Sequence, residues 1–503
     1  MNNQSEKSSN GKIQNVVVVG GGTAGWVTAS LLSKVLGKSI NITLIESDKI
    51  GIIGVGEATI PPIISLNNAL GINESDFMKA TKATIKLGIQ FENWGNKGDS
   101  YMHAFGEIGK NFPFCEFHHF WTKSQQLGDQ SSFWDYSLNY QAAISGKFSK
   151  INNIEGTNLP GISYAYHFDA TLYAKFLRQF SENLGVKRVE GLITKVNQDP
   201  QNGYIESVDL EEGATVKGDF FIDCTGLAAL LIEKTLSTGF DDWSQWLPCN
   251  RAVAVPSEST DKIRPFTRAI AHEYGWQWQI PLQHRTGNGL VYSSKHMTDD
   301  EAKEKILSSI EGKPLAEPKV IGYRTGRRRK QWNRNVVCIG LASGFFEPLE
   351  STNIHLIQTG AIRLLKFFPH NGIKNEEIAE YNRQSTNEYE RIRDFIILHY
   401  KLTNRNDTQF WRQCQQMEVP DTLAQRMELF RESGKVFREQ EDLFTEIAWK
   451  QVMIGQGGAP HDYHPLVDSL SEPQITELMA NLKTLINRTV DKMPSHDEFI
   501  REI

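Results

Sequence analysis

Cysteine, excess positive charge and long apolar runs are all scarce in this 503-residue chain, and each scarcity removes a class of protein. There are five cysteines, Cys115, Cys224, Cys249, Cys338 and Cys414, and no two form a CxxC pair. An odd, scattered set argues against a disulfide framework or a zinc site, and the expected compartment is a reducing cytoplasm. With 54 Lys+Arg against 60 Asp+Glu, the net charge of -6 offers no broad footprint for nucleic acid or an anionic membrane. No segment approaches the roughly 20 apolar residues of a membrane span. The opening MNNQSEKSSNGK lacks the apolar core of a signal peptide, so residues 1–12 read as a disordered tail on a soluble, unprocessed chain. A small molecule is the expected partner.

What is present begins at Ile13–Val19, a β-branched run that reads as a buried parallel strand. Gly20-Gly21-Gly22-Thr23-Ala24-Gly25 follows, then a helix from about Ala24 to Leu36 and a second strand over Asn41–Ile45 ending at Glu46. Gly20, Gly22 and Gly25 match GxGxxG in its proper context. The three glycines permit a tight turn, close approach of backbone to a pyrophosphate, and close packing of helix on strand. Glu46, 24 residues after Gly22, suits a hydrogen bond to an adenosine ribose. Taken alone, GxGxxG is a weak signal; strand, helix and terminal acid together make a dinucleotide-binding start.

Further strands are expected at Arg188–Val196, Phe220–Asp223 and Val336–Ile339, too far apart for simple alternation. Gly218 to Gly226 and Asn335 to Gly344 each read as a strand running into a small-residue turn, as a bulky flavin requires from distant parts of a chain. Aromatic, turn-rich stretches, Phe105–Trp134 and Trp243–Trp278, lie between, and from about Asn375 the pattern becomes helical. The expected fold class is α/β: an FAD-binding Rossmann-like module of the glutathione reductase or aromatic hydroxylase type. It spans residues 13–375, with substrate-facing insertions at about 95–160 and 240–330, and a mainly helical region, 376–503, completes the substrate chamber.

Four short motifs point further. They are Gly275-Trp276-Gln277-Trp278-Gln279-Ile280-Pro281, Gly54-Val55-Gly56-Glu57-Ala58-Thr59-Ile60-Pro61, Glu347-Pro348-Leu349-Glu350-Ser351-Thr352, and Lys86-Leu87-Gly88-Ile89-Gln90-Phe91-Glu92-Asn93-Trp94. Two tryptophans at i and i+2 also fit one apolar face of a strand. In the last motif Leu87, Ile89 and Phe91 alternate as a buried strand face, turning Lys86, Gly88 and Gln90 to the other side, where a small Gly88 leaves room for a cavity. A helical reading instead puts Lys79, Lys82 and Lys86 on one solvated face, and periodicity leaves both open.

Jointly these motifs resemble those of the flavin-dependent tryptophan halogenase family, with agreement from about residue 15 to 470. The resemblance implies FAD, used as FADH2, held by Gly20, Gly22, Thr23, Ala24, Gly25, Glu46, Val196, Leu341 and Ile354. It implies that a flavin hydroperoxide oxidises chloride or bromide to hypohalous acid, which travels through an internal passage. Lys86 then holds or polarises the halogen, Glu350 accepts the ring proton or orients the same species, and the amides of Thr352 and Asn353 hold halide. Asn353 departs from the glycine of well-known members, and Asn tolerates the positive φ a halide nest was expected to need. The Tyr-Tyr…Glu…Phe-Trp clamp of tryptophan-specific members is missing; Ala448-Trp449, Gly455 to Pro460 and Tyr463-His464-Pro465-Leu466 stand there instead, as in indole-accepting members. No second nucleotide fingerprint serves NAD(P)H, so a separate flavin reductase is expected, and a homodimer is left open. His118 and His119 sit in an aromatic run and are assigned to packing or hydrogen bonding, with no metal. On the residues alone, a flavin aromatic monooxygenase and a non-catalytic FAD-binding protein remain alternatives.

Overall fold

The computed structural model describes residues 11–50, 57–260 and 262–503. Most of the expected tail, and Gly54, Val55 and Gly56 of the second motif, lie outside the described residues.

The β-branched run forms the strand Asn15–Val19, with Val16 to Val19 buried on both faces as a central parallel strand demands. It lies inside a six-stranded sheet, between Phe220–Asp223 and Asn41–Glu46. Val336–Cys338 and Lys187–Glu190 continue the parallel part on either side, and Trp332–Asn333 closes one edge antiparallel. The helix Thr23–Leu36 packs on this sheet, as the glycine spacing predicts. The stretch expected as one strand, Arg188–Val196, is two. Lys187–Glu190 joins the parallel sheet, whereas Ile193–Gln198 pairs with Ile205–Leu210 in a separate three-stranded sheet. The break falls at Gly191, whose N–H turns back to Glu46 O.

A seven-stranded, mostly antiparallel sheet forms the second layer, from Arg251–Ser257, Thr267–Ala271, Gly275–Pro281, Thr286–Tyr292 and Lys319–Gly322 together with Gly88–Glu92 and Ser100–Ala104. Joining the layers is a small sheet in which Ala165–Phe168 lies between Glu57–Ala58 and Thr84–Lys86. Part of the second motif and the strand bearing Lys86 are therefore tied to one central strand. The aromatic stretch after Phe105 is more ordered than its turn-rich composition suggests, and contains the helix Phe117–Gln126. Beyond Asn375 the described chain is helical: Asn375–Lys401, Gln409–Gln416, Asp421–Ser433, Glu446–Gly455, Glu472–Asp491 and His496–Glu502. No helix among the described residues is long and apolar enough to cross a membrane.

Candidate functional site

The glycine turn divides its labour in a way the geometry exposes. A Cβ built on Gly20 would lie 2.3 Å from Cys224 O, and one on Gly25 would lie 1.8 Å from Gly20 O, so the fold itself demands these two glycines. Among the described residues, a Cβ on Gly22 would meet no protein atom within 4 Å. Gly22 caps the N-terminus of the helix Thr23–Leu36, whose first amides have no intrahelical acceptor. Free space in front of unpaired amides at a helix N-terminus fits a pyrophosphate, so the residues present fit a dinucleotide such as FAD. The Glu46 carboxylate lies against Gly21, accepting from Trp26 Nε1 at 3.3 Å and pairing with Arg188 Nε at 2.5 Å. Ala24 packs under Gly340, next to Leu341, and Ile354 is buried near the start of the helix Asn353–Lys366. Val196 sits in the separate three-stranded sheet, in register with Val208.

The solvated-helix alternative for Lys86 fails. Lys86 ends the strand Thr84–Lys86 and is fully buried, and its Nζ donates to Ser351 Oγ at 2.8 Å and lies 5.4 Å from the centre of the Phe105 ring. Burial pushes its pKa down to about 7, against the pull of Glu350. The expected alternation also needs correction. Lys86 and Gly88 belong to different sheets, separated at Leu87, whose N–H turns to Pro265 O. Gly88 opens no cavity: a Cβ there would sit 2.6 Å from His103 O, so its role is to let the strand Ser100–Ala104 approach.

That approach brings in His103, which the sequence reading missed. Glu350, fully buried, lies 2.8 Å from His103 Nδ1 through Oε2, and 2.8 Å from His399 Nε2 through Oε1, the second contact without hydrogen-bond alignment. Burial alone would raise Glu350, but the two imidazoles reverse the effect and hold it at about 2. His399 Nδ1 pairs with Tyr101 OH at 3.0 Å, and Gln456 Nε2 reaches Tyr101 OH at 3.3 Å. His103 shares its strand face with Tyr101, and His399 sits in the 27-residue helix Asn375–Lys401. Alternation in Ser100–Ala104 was the available signal for both residues of that strand. Nothing in the sequence joined them to Glu350.

Three residues before Glu350, Glu347 is a second buried carboxylate with the opposite fate. It accepts from Trp276 Nε1 and Tyr400 OH, each at 2.8 Å, yet burial outweighs these bonds and raises it to about 7. Trp276 and Trp278 lie in a fully buried strand, with ring centres 6.1 Å apart. One short segment thus carries two acids driven in opposite directions, an arrangement typical of sites that handle protons.

Thr352 and Asn353 begin the helix Asn353–Lys366, where free amides favour an anion. The expectation that Asn353 takes a positive φ is not met. The left-handed residue is Ser351, at φ 57°, and Asn353 is already helical, its Nδ2 donating to Phe346 O at 3.2 Å. Thr352 Oγ1 is buried without a partner among the described residues. Around Lys86 and Glu350 stand aromatic side chains: Phe444 stacks on Phe395 at 3.8 Å and lies 6.0 Å from the His103 ring, and Trp449 meets Phe395 edge-on at 4.9 Å.

Ligand atoms of Glu116, His118 and His119 lie within 4.8 Å of one another. Lys450 already pairs with Glu116, His118 Nε2 meets Gly434 O at 2.6 Å, and His119 Nδ1 accepts from the His464 amide. Burial first, and Lys450 second, push both imidazoles down, and the same ammonium opposes a second cation.

A nucleotide-binding α/β module thus stands joined to a buried lysine, carboxylate and tryptophan pair, the combination expected of a flavin-dependent enzyme. The tryptophan halogenase family model matches residues 15–472, and the chain belongs to that family. It is 33% identical to the tryptophan 7-halogenase RebH of Lentzea aerocolonigenes, over 98% of this chain and 99% of that one. Among solved structures it resembles Xcc4156, a flavin-dependent halogenase from Xanthomonas campestris, with TM-score 0.95, 47% identity and 98% of each chain covered. It also resembles BrvH, a flavin-dependent halogenase from Brevundimonas sp. BAL3, with TM-score 0.95 and 41% identity, covering 98% of this chain and 100% of that one. The protein is a flavin-dependent halogenase; the monooxygenase and non-catalytic alternatives are set aside.

Proposed function

We propose that this halogenase uses FADH2, delivered by a separate reductase, to add chloride or bromide to an electron-rich arene such as an indole, with Lys86 and Glu350 as the catalytic pair. The supporting observation is the burial of Lys86 against the loop Glu347–Thr352, which carries the buried Glu350 and runs into the free amides of Thr352 and Asn353. Reduced FAD with oxygen supplies the oxidising equivalents that turn halide into hypohalous acid.

The amides at Thr352 and Asn353, with the unpartnered Thr352 hydroxyl, hold the halide. The Lys86 ammonium donates to the hypohalous acid oxygen and so polarises the oxygen–halogen bond. The arene carbon attacks the halogen, that bond breaks, and the oxygen leaves as water with a proton given up by Lys86, which the proton released from the ring later restores. Glu350, kept ionised by the imidazoles beside it, takes the proton from the substituted ring carbon. Phe105, Phe444 and Trp449 supply apolar surface for the ring.

The test supplies reduced flavin and bromide to the parent and to Lys86→Ala, with indole and free tryptophan as competing substrates. The parent is expected to give bromoindole with a higher kcat/KM than for tryptophan, since the amino-acid clamp is missing from the sequence. Lys86→Ala is expected to keep FAD binding and hypobromite formation while losing brominated product. Near-parental bromination by Lys86→Ala rejects the catalytic pair in favour of free hypohalite release, and a large preference for tryptophan rejects the substrate class.

A further inference from the structure

Lys86 makes no ion pair among the described residues, and its ammonium has a single hydrogen bond, to Ser351. Its position is therefore set mainly by its backbone, and that backbone lies at an edge. The strand Thr84–Lys86 is an outer strand of its three-stranded sheet, with Ala165–Phe168 on one side only. The amides facing the other side need acceptors in a buried environment, because an unpaired buried N–H is costly.

One acceptor comes from the far end of the chain. Ile85 N–H donates to His496 Nε2 at 3.1 Å, and the other ring nitrogen, Nδ1, lies 2.9 Å from Ile263 O. Both partners are backbone groups of fixed polarity, so they dictate a neutral ring with its proton on Nδ1. His496 is 1% exposed and opens the short helix His496–Glu502, capped by Ser495 and Glu498. Its own N–H donates to Gly146 O at 2.8 Å, and Phe148 N–H donates to Pro494 O at 3.2 Å, so the helix start is anchored independently of the ring. The segment holding Ile263 also accepts Leu87 N–H through Pro265 O at 2.7 Å. Residues 85 and 87 are thus held on either side of Lys86 by the same corner of the structure.

We propose that His496 is a positioning residue for Lys86: its imidazole completes the open edge of the strand and fixes where the ammonium meets Ser351 and the substrate. The proposal rests on Lys86 being catalytic. Burial favours the neutral ring the geometry requires, and the nearby titratable groups are Asp497 beside His496, His167 between the two, and Glu350, His103 and His399 around Lys86.

The experiment compares His496→Ala, His496→Asn and His496→Gln with the parent and Lys86→Ala, as full chains with reduced flavin, bromide and indole. Gln carries an acceptor where Nε2 was, whereas Asn reaches only the Nδ1 position and cannot serve Ile85. Ala and Asn are expected to lower kcat for bromoindole at least about tenfold, with KM and hypobromite formation little changed. The pH limb belonging to Lys86 is expected to move up from about 7, as water reaches a loosened lysine. Gln is expected to restore both. If Ala does not fold, the contrast between Asn and Gln decides. Parental kcat and an unmoved limb in folded Asn, while Lys86→Ala is inactive, overturn the role of His496. Bromination surviving in Lys86→Ala overturns the catalytic lysine itself.

Discussion

Lys86 Nζ and Ser351 Oγ are 2.8 Å apart although 265 positions separate them in sequence, and the hydroxyl sits on a residue in the left-handed region of backbone space. The turn that bends Ser351 into that conformation also presents Glu350 on one side and begins the helix Asn353–Lys366 on the other. Lys86, Glu350 and the free amides at the start of that helix therefore meet at one loop.

Glu350→Gln should slow halogen transfer less than Lys86→Ala does. The loss expected is roughly 10²-fold, at the lower end of what general base catalysis contributes, because water can replace a base acting on an already substituted ring. Hypobromite formation should be unchanged. Brominated indole and trapped hypobromite, measured together, separate the two steps; a loss as large as that of Lys86→Ala would show that Glu350 orients the halogen species as well.

Lys86 also makes stability depend on pH with a definite sign. Its folded pKa, about 7, lies below the ordinary 10.5, so the unfolded chain binds more protons between those values and stability rises with pH across that window. Below about pH 7 the fold carries the whole cost of a buried ammonium. Lys86→Met, which removes the charge at similar volume, should therefore be more stable than the parent by on the order of 4 kcal/mol at neutral pH. That advantage should fade as pH approaches 10.5. Chemical denaturation at several pH values checks this, and a pH-independent difference would mean that the buried lysine is not the titrating group.

Gly22 and Gly25 should fail differently. A Cβ at Gly22 meets no atom of the described residues, so Gly22→Leu should lose FAD affinity while the apo protein keeps its Tm. Gly25→Ala places a Cβ against Gly20 O and should lower the Tm of the apo protein itself, overpacking costing about 1–3 kcal/mol or more. Isothermal titration and thermal melts decide between them. Equal FAD affinity for Gly22→Leu and the parent removes Gly22 from the site.

Much of this was legible in the chain, and for local reasons. The strand, glycine turn, helix and Glu46 lie within about 30 consecutive residues, and steric rules on glycine together with β-branched burial specify them without help from elsewhere. The short motifs named Lys86 and Glu350, but periodicity left Lys86 open between a strand facing a cavity and a solvated helix face. Alternation could not show that Lys86 and Gly88 belong to different sheets, since Leu87 turns its amide to Pro265 only when the layers meet. Nor did local pattern tell Glu347 from Glu350. The two acids stand three residues apart in one motif, and only their tertiary partners separate them: indole and phenol donors cannot offset burial for Glu347, whereas two imidazoles do so for Glu350. The same holds for Asn353, whose expected positive φ moved to Ser351. By itself the sequence determined the nucleotide-binding start, the family and the residue types of the candidate site, because these depend on neighbours in the chain. Tertiary structure decided the direction in which Glu347 and Glu350 are shifted and the joining of residues 86, 103, 350, 399 and 496, because desolvation and hydrogen bonding depend on neighbours in space.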